Sequence, residues 1–219
     1  MIKIIKEIVP KNQHYYVAVS MGVDSVAALI WLRSKNYNIT PIHFNHNLRP
    51  QNKLMENKFV ELCENMNLKF IKGQGSGLST EKDCREARLD FYNKFCNGII
   101  ITAHHINDYV ENYLLNCFRG HPNHNPFELI SEFENFKIIH PFLLTKKKDF
   151  LQYLERNGYM KYTVEDESNF ISQGSRRNWI RNTIIPEMIK NELSLDKFVK
   201  RSLIRSIEKY KNPESSSIG

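Results

Sequence analysis

Short runs of β-branched and aromatic residues alternate along the chain with longer stretches whose apolar positions recur every three or four residues. The short runs, at residues 15–19, 39–44, 69–72, 98–103 and 137–140, predict five strands. Between them the helical period predicts one helix from the turn at Gly22 through Trp31 and Leu32. A second covers 52–66, with Phe59, Leu62, Cys63 and Met66 on one face, and a third runs from the capping pair Thr80 and Asp83 to about Phe95. Strands and helices in this alternation predict an α/β fold, a doubly wound, mainly parallel five-stranded sheet with helices on both faces. Ile4, Ile5 and Ile8 ahead of Pro10 predict a short N-terminal helix. From Lys146 the pattern becomes helical and basic: one helix through Phe150, Leu151 and Leu154 up to Gly158, one over 177–189 interrupted at Pro186, and one over 197–211. The last sets Phe198, Leu203 and Ile207 among Lys200, Arg201, Arg205 and Lys209. The expected organisation is an α/β unit over 1–145, a helical basic extension over 146–211 and a disordered tail over 212–219.

Composition changes this picture in two respects. With 31 Lys and Arg against 24 Asp and Glu, the net charge is +7, which favours a polyanionic partner such as RNA. Cys63, Cys84, Cys96 and Cys117 are widely spaced and form no C-x-x-C pair, so they read as reduced, mostly buried thiols. No apolar run reaches the ~18 residues of a membrane span, and no signal-peptide pattern opens the chain. The expectation is a soluble cytoplasmic protein with no membrane partner.

The chemistry begins where the first strand ends. Ser20-Met21-Gly22-Val23-Asp24-Ser25 follows an apolar strand and opens a helix, an arrangement that aims backbone N–H groups and a positive helix end at an anion. Ser20 and Ser25 add hydroxyl donors. No Lys follows the turn, which argues against a P-loop kinase or GTPase. Asp24 either caps the helix or meets a phosphate through Mg²⁺, which takes carboxylate and phosphate oxygens together. Further on, Asp108 and Glu111 stand three residues apart on the opening turns of a helix after His104 and His105. Two carboxylates on one face either hold a cation, Mg²⁺ or a lysine ammonium, or complement the helix dipole. Arg85 and Arg88, with the same spacing, either embrace a phosphate or form a solvated basic face. Asn45 and His46 open the loop after the second strand, where open α/β sheets bind ligands. His43 and His46 have no Cys or carboxylate beside them to complete a zinc set.

These segments carry a resemblance to a known family. Ser20 to Ser25 resembles the S-G-G-x-D-S loop of the PP-loop ATP pyrophosphatases, with Met21 where the family has its first Gly. His43-Phe44-Asn45-His46-Asn47-Leu48-Arg49, Ala103-His104-His105-Ile106-Asn107-Asp108-Tyr109-Val110-Glu111, Asp166-Glu167-Ser168-Asn169 and Arg177-Asn178-Trp179-Ile180-Arg181 resemble, in order and spacing, motifs of the tRNA(Ile)-lysidine synthetases. The chain departs from that family at Asn107, usually Asp, and at Tyr109, usually Gln. The resemblance implies an adenine-nucleotide alpha-hydrolase-like sheet carrying ATP at its C-terminal edge, with Mg²⁺. It implies ATP binding by Ser20, Met21, Gly22, Val23, Asp24, Ser25, Asn45 and His46, and lysine binding by His104, His105, Asp108 and Glu111. Asp24, Asp108, Glu111, Arg85 and Arg88 are the expected catalytic residues. Arg177, Asn178, Arg181, Arg201 and Arg205 are expected to contact the RNA.

The implied reaction joins L-lysine to the anticodon wobble cytidine of an isoleucine tRNA, gripped by its anticodon arm, at the cost of ATP converted to AMP and pyrophosphate. A rival is another PP-loop tRNA-modifying enzyme such as a thiolase; those of the cytidine-thiolating group carry C-x-x-C pairs that this chain lacks. The other rival is a non-catalytic nucleotide- or RNA-binding protein. Oligomeric state is open, with a homodimer among the arrangements allowed.

Overall fold

The computed structural model describes residues 1–125, 127–165, 176–193 and 196–212. The segment 166–169 and the tail beyond Asn212 lie outside the described residues, as does the side chain of Phe198. In chain order the elements are β1 His14–Ala18, α1 Val23–Ser34, β2 Asn38–Asn45, α2 Gln51–Asn65, β3 Ile71–Gln74, α3 Glu81–Phe95, β4 Gly98–Ile101 and α4 Ile106–Phe118. They continue with β5 Ile130–Glu132, β6 Phe136–Ile139, α5 Lys147–Asn157, α6 Arg176–Trp179, α7 Ile185–Lys190 and α8 Asp196–Lys211.

One sheet takes the order β3-β2-β1-β4-β6-β5. The five expected strands make its parallel part, and the short β5 adds a sixth that runs antiparallel against β6. Three residues with a single edge partner leave too short a pattern to stand out in the sequence. β1 pairs with β2 on one side and β4 on the other, so the chain reverses its winding direction at β1. Ligands of doubly wound sheets bind in the crevice such a reversal opens at the strands' C-terminal ends. Both loops leaving this crevice, after β1 and after β4, carry the polar residues picked out above.

Three local expectations are corrected. Met1 to Val9 is not a helix beyond a short 3₁₀ turn at Lys6–Ile8; its backbone instead pairs with the segment after β6, Ile5 N–H donating to the Pro141 carbonyl at 2.8 Å and Lys3 N–H to Thr145 Oγ1 at 2.9 Å. The third strand lies two residues later than expected, ending at Gln74, because Gly73 belongs to the ladder opposite Phe44. A Cβ on Gly73 would stand 2.5 Å from the Phe91 ring. The break in the helix over 177–189 lies ahead of Pro186, as a π turn over Ile180–Ile184. Proline has no N–H to donate and crowds the preceding turn, so that turn widens. The capping box of Thr80 and Asp83 and the left-handed stop at Gly158 form as expected.

Two apolar clusters flank the sheet. The larger joins the N-terminal segment with α1, α2, α4 and α5 and reaches Val199 and Leu203 of α8. The smaller sits under α3, around Phe91, Tyr92, Ile100 and Phe136. Cys63 and Cys96 are buried within them, all four cysteines are free, and burial pushes both buried thiols up to about 12. Among the described residues, no helix is long and apolar enough to cross a membrane.

The residues that depart from the family pattern have structural employment. Asn107 Oδ1 accepts the Lys147 N–H at 3.1 Å, at the start of α5. Tyr109 is fully buried, and its hydroxyl lies 2.8 Å from Ser202 Oγ, tying α4 to α8. Tyr109→Phe should therefore cost about 0.5–1.5 kcal/mol and Tyr109→Ala about 3–5 kcal/mol in urea unfolding. Tyr109→Phe combined with Ser202→Ala should cost less than the sum of the two, and strict additivity would show that the hydroxyl pair contributes nothing.

Candidate active site

The turn after β1 holds its shape through an unusual residue. Met21 has φ +65°, in the left-handed region, while its side chain is fully buried. Its carbonyl accepts the Val164 N–H at 2.8 Å, which fastens the segment after α5 to the loop. Within the loop, Ser25 Oγ donates to the Gly22 carbonyl at 3.0 Å, accepts the Ser20 N–H at 3.1 Å and lies 3.2 Å from Ser20 Oγ. Gly22 is extended, with φ −71° and ψ 159°, and precedes the first turn of α1, which contains Val23 and Asp24.

Across the crevice, α4 starts at a reciprocal cap. His105 N–H donates to Asp108 Oδ2 at 2.9 Å, and the His105 ring Nδ1 lies 3.2 Å from the same oxygen. The opposite ring nitrogen, Nε2, is 3.4 Å from Asp24 Oδ2. One imidazole thus bridges carboxylates from the first turns of two helices. Burial opposes its protonation, but the bond to Asp24 and the charges of Asp108 and Asp24 outweigh that, so its pKa is raised above the usual value. The other oxygen of Asp24, Oδ1, is buried with no hydrogen-bond partner.

The second carboxylate of α4 is engaged differently. Glu111 is buried, and both of its oxygens accept from Arg181, Nε and one terminal nitrogen each at 2.7 Å. The same guanidinium comes within 3.8 Å of Asp108 Oδ1. Asp108 and Glu111 do face one side of the helix, and the cation between them is a side chain from the π turn. Arg181, which the sequence points toward the RNA, is brought into the cluster, and its bond to Glu111 raises its own pKa.

His104 points to a separate pair. Its Nδ1 is 2.9 Å from Thr102 Oγ1 and 3.2 Å from the Nδ1 of His140, at the end of β6. Burial depresses both rings, and His140, with His104 beside it, falls to about 3. Two neutral imidazoles sharing a hydroxyl suit a polar wall better than an acid. The sequence did not single out His140 or Thr102; the available signal was a polar residue closing an apolar strand at the sheet's C-terminal edge.

The remaining positions divide by reach. Asn45 is buried with its amide committed, Nδ2 donating to Glu56 Oε2 at 2.9 Å and Oδ1 accepting the Asn47 N–H at 2.8 Å. It shapes the loop that presents His46, whose Nδ1 is buried and unpartnered and whose pKa is lowered, first by burial and then by the Arg88 charge. Arg88 is half-buried, close enough to depress His104 as well, whereas Arg85 is exposed. Arg177 is exposed and donates to Asn112 Oδ1 of α4. Asn178 is half-buried, and Arg201 and Arg205 are exposed on α8.

A magnesium ion fits one place in this arrangement. Among the described residues no group of three His, Cys, Asp or Glu could hold a metal unaided. Asp24 Oδ1, buried and unsatisfied, offers a single carboxylate ligand, which suits an ion that draws its other ligands from phosphate and water.

The PP-loop domain model matches residues 1–188 of the chain. The chain is 35% identical over 207 residues to the tRNA(Ile)-lysidine synthase of Rickettsia prowazekii, covering 86% of this chain and 46% of that protein. It is 30% identical over 198 residues to the tRNA(Ile)-lysidine synthase of Staphylococcus aureus, covering 82% and 45%. The chain therefore spans about half the length of the curated relatives it matches. Among solved structures, the U34-tRNA thiolase NcsA from Methanococcus maripaludis superposes with a TM-score of 0.72 at 16% identity, over 92% of this chain and 74% of that one. That likeness concerns the fold.

The bridge makes a pH prediction. His105 has a raised folded pKa, so its stabilising contribution is complete below the unfolded value near 6.5 and is lost as pH rises through the folded value. Wild-type stability should fall across that alkaline limb, and His105→Gln should flatten the limb in urea unfolding at stepped pH. Arg181→Ala, which strands a buried carboxylate, should cost about 3–5 kcal/mol, and a loss under 1 kcal/mol would mean that Glu111 is solvated.

Proposed function

We propose that this chain, which belongs to the PP-loop domain family, uses ATP to activate a cytidine of tRNA and joins L-lysine to it, releasing AMP and pyrophosphate. The observation that carries this reading is the His105 bridge between Asp24 on the phosphate-binding turn and Asp108 on α4. It brings the turn after β1 and a carboxylate of α4 to two sides of one crevice, which supports a nucleotide bound on one side and an ammonium on the other. The names of the curated relatives supply the substrate class.

A ring carbonyl oxygen is a poor leaving group. In the first step the cytosine oxygen attacks the α-phosphorus of ATP, forming a P–O bond as pyrophosphate departs. In the second the lysine ε-amine attacks the same ring carbon, the C–O bond breaks and AMP leaves with the oxygen. The Ser20 hydroxyl and the N-terminus of α1 hold the phosphates, and Ser25, bonded to the Gly22 carbonyl and the Ser20 N–H, braces the turn. Mg²⁺, when bound at Asp24, neutralises phosphate charge. Asp108, whose Oδ1 lies 3.8 Å from the Arg181 guanidinium, receives the amine and takes up its proton. Glu111, held on both oxygens, fixes Arg181 rather than receiving the amine. His104 and His140 form the neutral wall, and Arg88, whose charge reaches His46 and His104, is assigned the stabilising of negative charge as it develops.

Labelled lysine should enter bulk tRNA only with ATP, with AMP and pyrophosphate as co-products; ADP and orthophosphate would rule the reading out. Asp24→Ala should abolish turnover with the fold retained. Asp108→Asn should raise the lysine KM roughly tenfold to a hundredfold, as expected for one charge-assisted bond, with the ATP KM little changed. If both constants rise together, Asp108 is a structural or metal-binding group.

A further inference from the structure

Leu115, Phe118 and Arg119 at the end of α4 face Arg176, Trp179 and Ile180, and the six line an open cavity of about 290 Å³. Phe118 is 61% exposed and Trp179 44% exposed, and their rings are 6.0 Å apart at 50°. Large aromatics are rarely left this open beside one another without a partner. None of the six is acidic, and two are arginines. Flat aromatic faces beside guanidinium groups suit a base and its phosphate, since every base has a face to stack and every nucleotide a charge to pair.

The cavity's position narrows the occupant. Phe118 follows Glu111 by seven residues on the same helix, roughly 10 Å along its axis. Ile180 lines the cavity while its neighbour Arg181 binds Glu111. Cavity and candidate site are thus adjacent, on consecutive residues of one turn. We propose that this cavity receives an unpaired base next to the modified one, stacked on Trp179 or Phe118, with its phosphate on Arg119 and Arg176. It rests on the reading that RNA is the substrate, and it assigns these residues the task of keeping the loop open on one side of the reacting base. A double-stranded region has no free face to offer there, so the cavity selects a single-stranded loop.

The chain has two tryptophans, and Trp31 is remote, packed against Tyr37 and Phe142. In Trp31→Phe protein, Trp179 is the only indole, and stacking quenches its fluorescence. Titration without ATP or lysine should show quenching by an anticodon stem-loop and little by a blunt duplex of equal length or by free CMP or AMP. Trp179→Ala in the wild-type background should weaken stem-loop binding in a filter assay roughly fivefold to a hundredfold, the usual range for one stacked base, with Trp179→Phe recovering part of it. Arg119→Gln with Arg176→Gln should flatten the salt dependence. Equal quenching by duplex, or by free nucleotide, overturns the proposal, as does unchanged affinity in a Trp179→Ala protein with native circular dichroism. It is overturned too if Trp179→Ala abolishes a dimer in sedimentation and leaves RNA affinity intact, which makes the cavity a seat for a second copy. ATP turnover is measured separately: loop-selective quenching without turnover sinks the lysine-ligation reading alone, while turnover with Trp179→Ala unaffected in stem-loop KM sinks this one alone.

Discussion

A buried side chain holds a strained turn at Met21, and much of the site depends on the outcome of that contest. The left-handed conformation costs a non-glycine residue about 1–2 kcal/mol. Full burial of a methionine side chain returns about 1.5–3 kcal/mol, and Met21 has no exposed surface. The packing term is the larger, so the turn survives without the glycine that would make it easy. Its consequences run in both directions along the chain. Downstream, Gly22 and the first turn of α1 are set with Asp24 toward the crevice. On the other side, the Met21 carbonyl is turned to accept the Val164 N–H, so the loop after β1 also anchors the segment leading to the C-terminal helices.

Charge is then arranged by alternation. Asp24, His105, Asp108, Arg181 and Glu111 follow one another across the crevice, each beside a neighbour of opposite sign when His105 is protonated. Three carboxylates against two cations leave one net negative charge. A crevice of that balance suits a cationic group, while the start of α1 beside it, with its free N–H groups, suits an anion. The two preferences coexist because they belong to two helix starts, α1 and α4, separated by a single imidazole. The buried pair of Glu111 and Arg181 adds little net stability, but it fixes which carboxylate remains open, and that is Asp108.

Much of this was legible in the residues. The five parallel strands follow from short apolar runs rich in β-branched residues, and the crevice from their alternation with helices. Asp24, His105 and Asp108 stand out as polar residues at the starts of the helices that follow β1 and β4. Less accessible was anything set by a distant partner. The N-terminal isoleucines have helical spacing, yet Lys3 and Ile5 find partners near Thr145 and Pro141, which no local pattern encodes. Arg181 sits in a basic helix that the sequence points toward RNA, and only its packing on α4 reveals Glu111 as its partner. Asn107 and Tyr109 look like losses against a family motif, but each is bonded to a segment, α5 or α8, whose position the motif does not contain.

The π turn ties these threads together. In a regular helix over 177–189, Pro186 would require a fourth-residue bond that it cannot donate. The chain instead closes a wider turn, with Ile185 N–H reaching Ile180 O. A wider turn changes the direction of the residues it contains, and wide turns of this kind are frequent at functional sites. Here Ile180 goes into the buried seam and the exposed cavity beside α4, while Arg181 reaches the Glu111 carboxylate. Arg177, one turn earlier, reaches Asn112 on the same helix. Three contacts therefore hold residues 177–181 along α4, at Glu111, at Asn112 and beside Leu115. Asp108 near one end of α4 and the aromatic cavity at the other both meet this one segment, so the two are held in a fixed register relative to each other.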